Sequence, residues 1–305
     1  DLIHKAAEDR LEEVRRCIGS LNCLSRLFRD LPYTCTMNPA LGHEVEPEYQ
    51  VTPAAVKKKV MVIGAGPAGM ECAITAAKRG HDVTVFDRAP RIGGNLYAYA
   101  VNDLARPDDL LSVIAHYEAV AGKLGIEVRL NTEVHAKFMR SVLHQYDVCV
   151  IAAGASIDRR RHANVKGAER MLDALDVAHG RVKAGQRVVV VGGGKIGLTL
   201  AEALRKHQGA EVTVIEPAKR IAGDVKPSFK WRHASWVEEL GITCLTSTTL
   251  AEVGADGVRV RNAKGEESFV PVAPERFEHN LTQSLDALVG YVTSHSNVLA
   301  AVAAA

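Results

Sequence analysis

The sequence predicts an α/β protein of two doubly wound, parallel-sheet units in tandem, led by a cysteine-bearing segment. Three observations carry this. Short runs rich in Val and Ile, stopped by glycine, recur along the chain, as expected of strands buried on both faces. Helical patterns alternate with these runs, and strands alternating with helices form parallel sheets. The glycine run that stops the leading strand appears twice, as GAGPAG from Gly64 and as GGGKIG from Gly192.

Residues 1–56 begin with a charged helical pattern (Leu2, Ile3, Ala6, Leu11, Val14). A stretch bearing Cys17, Cys23 and Cys35 follows, then a polar, proline-containing connector from Glu44 to Pro53. The unit over residues 57–155 starts with the basic run Lys57-Lys58-Lys59 and the strand VMVI. It continues with a helix from Pro67 to Arg79, a strand from Asp82 to Asp87 and a helix from Leu110 to Leu124. Two more strands, Glu127 to Leu130 and Val148 to Ala152, complete it. The unit over residues 156–285 repeats the plan with a strand Arg187 to Val191, a helix Ile196 to Lys206 and a strand Glu211 to Glu216. A helix from Phe229 to Leu240 carries Trp231 and Trp236. Strands are expected at Ile242 to Leu245, Gly257 to Arg261 and Ser268 to Val272. Residues 286–305 begin a return segment towards the first unit. There Asp286 to Thr293 reads as a strand crossing out of the second unit, and VLAAVAAA as an alanine-rich helix start. Both ends read as cuts through a longer polypeptide, or as those of a processed chain.

Composition narrows the function classes. Basic residues (38) nearly balance acidic ones (36), which argues against a nucleic-acid-binding surface. No segment approaches the roughly 18–20 apolar residues of a membrane span, and the charged start is no signal peptide. Six cysteines in 305 residues make no disulfide framework, so a cytoplasmic setting is expected.

The first glycine run has the strand-then-helix context that dinucleotide binding requires. Gly64 permits the tight turn, Gly66 lets backbone approach a pyrophosphate, and Gly69 lets helix and strand pack closely. Pro67 and Ala68 open a helix whose free N–H groups and positive dipole end suit phosphates. Asp87, with Arg88 beside it, ends the next strand about 20 residues on, where a carboxylate accepts hydrogen bonds from a ribose. A tight βα turn without ligand is the plainer alternative. In the second run Gly192, Gly194 and Gly197 play the same parts, and Glu216 ends the following strand. A carboxylate there favours a free 2′-hydroxyl, hence NADH or ADP over NADPH. Lys219 and Arg220 weaken that preference, although a solvated basic loop explains them as well. Cys72, Cys149 and Cys244 lie amid apolar neighbours and read as core residues. Clustered Cys17, Cys23 and Cys35 suit iron–sulfur ligation, and by spacing alone they suit simple packing equally.

The segments CIGSLNCLSRLF, CTMNPALGHE, VMVIGAGPAGMECAITAAKRGHDVTVFDRAPRIGGNL and VIAAGA run in the order found in one group of flavoproteins. The chain resembles, over nearly its whole length, the iron–sulfur flavoenzymes of the trimethylamine dehydrogenase, 2,4-dienoyl-CoA reductase and N-methylproline demethylase type. The resemblance implies two Rossmann-like domains arranged as in glutathione reductase. It also implies a four-iron four-sulfur (4Fe-4S) cluster, FAD or ADP in the first site, NAD(H) in the second, and FMN on a TIM-barrel partner that takes the small-molecule substrate. An oligomer is expected. By this likeness Cys17, Cys23 and Cys35 match three cluster ligands, and Ser20 stands at the remaining one. Gly93 and Gly94 match a second glycine pair beside the pyrophosphate, and Ala152, Ala153 and Gly154 match the small-residue turn leaving the first domain. The barrel is not in the sequence, so no catalytic residue is named. The expected role is the electron-transfer portion of a larger enzyme. The pair Trp231-Arg232 inclines the substrate chemistry towards amine dehydrogenation or N-demethylation. The alternatives are part of an NAD(P)H-dependent enoate or 2,4-dienoyl-CoA reductase, and a non-catalytic ADP-binding module. A free-standing disulfide reductase is disfavoured, because no CxxC pair follows the first glycine run.

Overall fold

The computed structural model describes residues 2–155, 159–272, 289–294 and 296–302. The chain divides into two units, Asp1–Val101 with Arg106–Gly154, and Asn102–Ala105 with Ala155–Ala305.

The first unit comprises α1 (Leu2–Ala7), α2 (Asn22–Leu27), β1 (Lys59–Ile63), α3 (Pro67–Lys78), β2 (Asp82–Phe86), α4 (Asn95–Asn102), α5 (Pro107–Lys123), β3 (Glu127–Arg129), α6 (Ala136–Val142) and β4 (Val148–Ile151). Its four strands are parallel in the order β3-β2-β1-β4. Burial on both faces explains the unbroken apolar run in β1: Met61 and Val62 are fully buried. On one face Met70 and Ile74 of α3 and Val113, Tyr117 and Val120 of α5 close the core. On the other, Phe86 packs edge-on against Phe138 of α6 and against Tyr146.

The cysteine-bearing segment is tied to this unit by cations donating to carbonyls. Arg106 Nη1 donates to Ile18 O (2.8 Å) and to Gly19 O. Arg15 donates to Met37 O (3.0 Å) and pairs with Glu71 at 2.6 Å. The helix expected through Val14 stops at Ala7. Asp9 adopts φ +52°, Leu11–Glu13 form only a 3₁₀ turn, and Leu2, Ile3 and Leu11 are exposed. None of the residues of α1 is buried, and a six-residue helix is short of what stabilises itself.

The second unit comprises α7 (Ala174–Ala178), β5 (Arg187–Val191), α8 (Lys195–Gln208), β6 (Glu211–Glu216), α9 (Pro227–Glu239), β7 (Thr243–Thr246), β8 (Thr248–Val253), β9 (Gly257–Asn262), β10 (Glu267–Pro271), β11 (Val289–Ser294) and β12 (Ser296–Val302). Strands β5, β6 and β7 are parallel neighbours, and β8, β9 and β10 form an antiparallel meander. Val189, Val191 and Ile215 meet the meander through Leu250, Val258 and Val260. On the opposite face Val188, Val190 and Val214 meet Leu200 and Leu204 of α8. Two expectations for the C-terminal part are corrected. Strand β11 does not leave the unit but pairs antiparallel with β12, which in turn pairs with β5. The run read as a helix start is β12, held extended by its antiparallel pairing with β11 despite its alanines. Asp286 to Leu288, the start of the expected crossing strand, lie outside the described residues.

Candidate functional site

Each unit presents one glycine turn at the carboxyl end of its leading strand, and the two turns are wired alike. Gly64 (φ +108°) and Gly192 (φ +111°) make the turn in a region closed to most side chains. Their N–H groups donate to Phe86 O (2.7 Å) and Ile215 O (2.6 Å), which locks each turn onto the next strand. Gly66 and Gly194 then begin α3 and α8 with almost equal angles (φ −74°, ψ 177° and φ −81°, ψ −178°).

Within the first turn the glycines have different physical reasons. A Cβ on Gly69 would lie 1.8 Å from Gly64 O and 3.3 Å from Val62 Cγ1, so this glycine serves helix–strand packing. One on Gly64 would meet Ala152 O at 2.2 Å and Ala153 Cα at 3.2 Å. A Cβ on Gly66 would meet nothing closer than Gly94 Cα, at 3.9 Å, and its backbone angles are ordinary. Nothing among the described residues therefore requires glycine at position 66. An open cradle of this kind fits a group brought from outside, as close approach of a pyrophosphate demands.

The structure brings most of the sequence-expected residues of the first site together. Gly93 N–H donates to Ala65 O (2.8 Å), which holds Gly93 and Gly94 against the turn. Ala153 borders Gly64, and Gly154 (φ +78°) turns the chain away. Pro67 and Ala68 begin α3, with Pro67 at its first helical position. The Asp87 carboxylate accepts the Ala65 N–H (2.6 Å) through Oδ2 and the Ala89 N–H (2.7 Å) through Oδ1. An ionised carboxylate has about four acceptor positions, so two remain for hydroxyl donors. Arg88 beside it is exposed. In the second unit Glu216 does the same, accepting from Gly193 N (2.7 Å) and Ala218 N (2.8 Å). Gly197 is buried within α8.

The cysteines are not gathered in this way. Cys17, Cys23 and Cys35 are free thiols, and no group of three or more His, Cys, Asp or Glu among the described residues is placed to hold a metal ion. Their chemistry suits iron, and two of the sulfurs accept backbone N–H groups, Cys17 from Gly19 (3.3 Å) and Cys35 from Met37 (3.4 Å). Ser20 is engaged elsewhere, 2.7 Å from the Thr36 hydroxyl. Among the described residues the three thiols are not gathered into one ligand set. Of the other three cysteines, Cys72 and Cys244 pack half-buried against the two cores, whereas Cys149, also half-buried, joins neither. Burial pushes the Cys72 and Cys149 thiols up and the Cys244 thiol to about 11, so they stay protonated and unreactive.

Sequence reading missed two features. One is a buried pair in the second unit, Glu202 Oε1 with His233 Nδ1 at 2.7 Å. Burial raises the Glu202 carboxyl above the ordinary carboxylate range, against the lowering effect of His233. The other is a second copy of the loop that carries Gly93 and Gly94. The signal was present as RIGGN (91–95) and RIAGD (220–224), and the alanine hid it from a search for glycine pairs.

The two-turn geometry is that of a recognised group. Residues 58–273 match the family model described as pyridine nucleotide-disulphide oxidoreductase. The chain belongs to this family. It is thus an oxidoreductase domain of the kind that handles flavin and nicotinamide nucleotides. It is similar to a metal reductase of Desulforamulus reducens, 30% identical over 96% of this chain and 48% of the relative. A probable N-methylproline demethylase of Rhizobium meliloti is 30% identical over 84% of this chain and 37% of the relative. Among solved structures, a 2-naphthoyl-CoA reductase in complex with 2-naphthoyl-CoA superposes with a TM-score of 0.82 at 36% identity, over 88% of this chain and 40% of that one. The chain spans less than half the length of these relatives. No helix among the described residues is long and apolar enough to cross a membrane.

Proposed function

We propose that this chain is the nucleotide-binding, electron-transferring portion of a flavin oxidoreductase that works with an FMN-binding TIM barrel. The observation that carries the reading is the open cradle at Gly66, faced by Gly94 and flanked by Asp87. In the first site the N–H groups of Ala68 and Gly69 at the start of α3 face the position of a pyrophosphate, and Asp87 takes a ribose. A bound FAD supplies the redox chemistry; the chain's own residues bind it, orient it and hold the turn in shape. ADP alone in this site gives the second, non-catalytic reading. In the second unit Gly194 and Glu216 take NAD(H) in the corresponding way.

By the likeness to the iron–sulfur flavoenzymes, a cluster bound in the full enzyme would have to draw Cys17, Cys23 and Cys35 together, with Ser20 at the remaining position. Exposed Leu24, Leu27, Phe28 and Tyr33 beside these residues supply apolar surface for the barrel. Substrate chemistry through the barrel is amine dehydrogenation or N-demethylation, as the likeness around Trp231 and Arg232 suggests. Reduction of an activated double bond is the other reading, favoured by the 36% identity to a 2-naphthoyl-CoA reductase. The test is the cofactor content of the isolated protein: a visible flavin band supports the electron-transfer role, ADP without flavin supports the module, and no nucleotide at all overturns both.

A further inference from the structure

Two nine-residue stretches, DRAPRIGGN (87–95) and EPAKRIAGD (216–224), occupy the same place in the two units. Their correspondence rests on hydrogen bonds as well as sequence. Asp87 and Glu216 each accept from the second residue of a glycine turn and from the alanine two positions on. Six residues after each carboxylate, Gly93 N–H donates to Ala65 O (2.8 Å) and Ala222 N–H to Gly193 O (2.7 Å). Asn95 and Asp224 are thereby equivalent, as are Pro67 and Lys195.

At this pair of positions the units part. Asp224 Oδ1 accepts the Lys195 N–H at 2.9 Å, the first N–H of α8. In the first unit the equivalent residue is Pro67, which has no N–H, and the residue matching Asp224 is neutral Asn95. A helix N-terminus attracts one anion, and in the second unit a side-chain carboxylate already answers it. A dinucleotide entering there must displace or lie beside that charge, and the first site presents no such obstacle.

We propose that Asp224 is a specificity-determining residue of the second nucleotide site, its carboxylate competing with a pyrophosphate for the α8 N-terminus. The second unit then takes its dinucleotide weakly and exchanges it, while the first, with Asn95, retains its nucleotide. This rests on the reading of the second turn as a nucleotide site. It assigns the resident cofactor to one unit and the transient electron carrier to the other by a single difference in charge. Asp224 is exposed, as are Lys195, Lys219 and Arg220, so salt screens the cations and the carboxylate alike, and Asp224 acts through its direct contact with the Lys195 N–H.

The test is NADH titration of Asp224→Asn, in a Gly66→Val background that silences the first site. Asparagine keeps the shape and caps a helix as well as aspartate does, so the fold is preserved, and a thermal melt verifies it. NADH should bind at least tenfold more tightly and leave more slowly, with the gap to the aspartate protein narrowing as salt rises. Asn95→Asp should loosen ADP in the first site by a similar factor. Equal NADH affinities, or weaker binding by the asparagine variant, overturn the proposal. If that unchanged binding is still abolished by Gly194→Val, the second nucleotide site stands and only the role of Asp224 falls. Absence of NADH binding in both proteins overturns the role and the site together.

Discussion

Alanine at Gly66 and alanine at Gly69 add the same methyl group three residues apart, and the structure assigns them opposite effects. At Gly69 the methyl would sit 1.8 Å from Gly64 O, so α3 must move off β1 by more than 1 Å. Overpacking of that kind costs about 3 kcal/mol, enough to lower the Tm of a unit this size by roughly 6–12 °C. At Gly66 the nearest atom is 3.9 Å away and the angles are ordinary. The entropy gained from a less flexible unfolded chain offsets the poorer helix cap, so Tm should stay within about 4 °C. Ligand affinity should show the reverse contrast. A methyl at 66 holds a pyrophosphate off the N–H groups behind it, and losing two charge-assisted bonds costs about 3 kcal/mol or more. That is a loss of about 100-fold in Kd. Differential scanning fluorimetry and calorimetric titration with ADP read the two quantities on the same samples. If Gly66→Ala binds ADP like the parent, or melts as early as Gly69→Ala, the division of labour between these glycines is wrong.

Glu202→Gln should stabilise the second unit at neutral pH. The raised Glu202 carboxyl favours the folded state only while protonated, so this contribution is complete below the ordinary carboxylate range and is lost as pH rises through the elevated value. Melts from pH 4 to 8 should show the variant's advantage growing with pH, and a constant difference would refute it. Arg106→Ala should release the loop around Cys17 by removing two charge-assisted bonds to carbonyls, about 3 kcal/mol or more. Hydrogen exchange at residues 17–20 should rise, and unchanged protection would count against the clasp. Anaerobic reconstitution with iron and sulfide, in the presence of the barrel partner, should leave several irons per chain. Cys17→Ala should lower that number and Ser20→Cys raise it; iron near zero in all three removes the cluster.

Much of the fold was legible because strands buried on both faces must be continuously apolar and must end where a turn needs glycine. Hence β1, β2, β5 and β6 fall within a residue or so of their expected bounds. Strand β8 was not legible: Thr248, Thr249 and Glu252 interrupt its apolar pattern, and antiparallel pairing with β9 makes it a strand. The glycine turns could be read residue by residue, since each glycine answers a local steric need. Asp224 could not, because its meaning lies in which N–H its carboxylate meets, a contact 29 residues distant in sequence.

Asp87 has a kinetic consequence. By accepting the Ala65 and Ala89 N–H groups it holds the glycine turn from within the protein, in the shape that the proposed nucleotide site requires. Capture then needs no loop to order itself, so little conformational entropy is lost on binding. Association should run at the rate of productive encounter, and variants of the site should differ chiefly in how long the nucleotide stays. An Asp87→Asn protein, whose amide offers one acceptor oxygen in place of two, would meet its ligand with a looser turn and capture it more slowly.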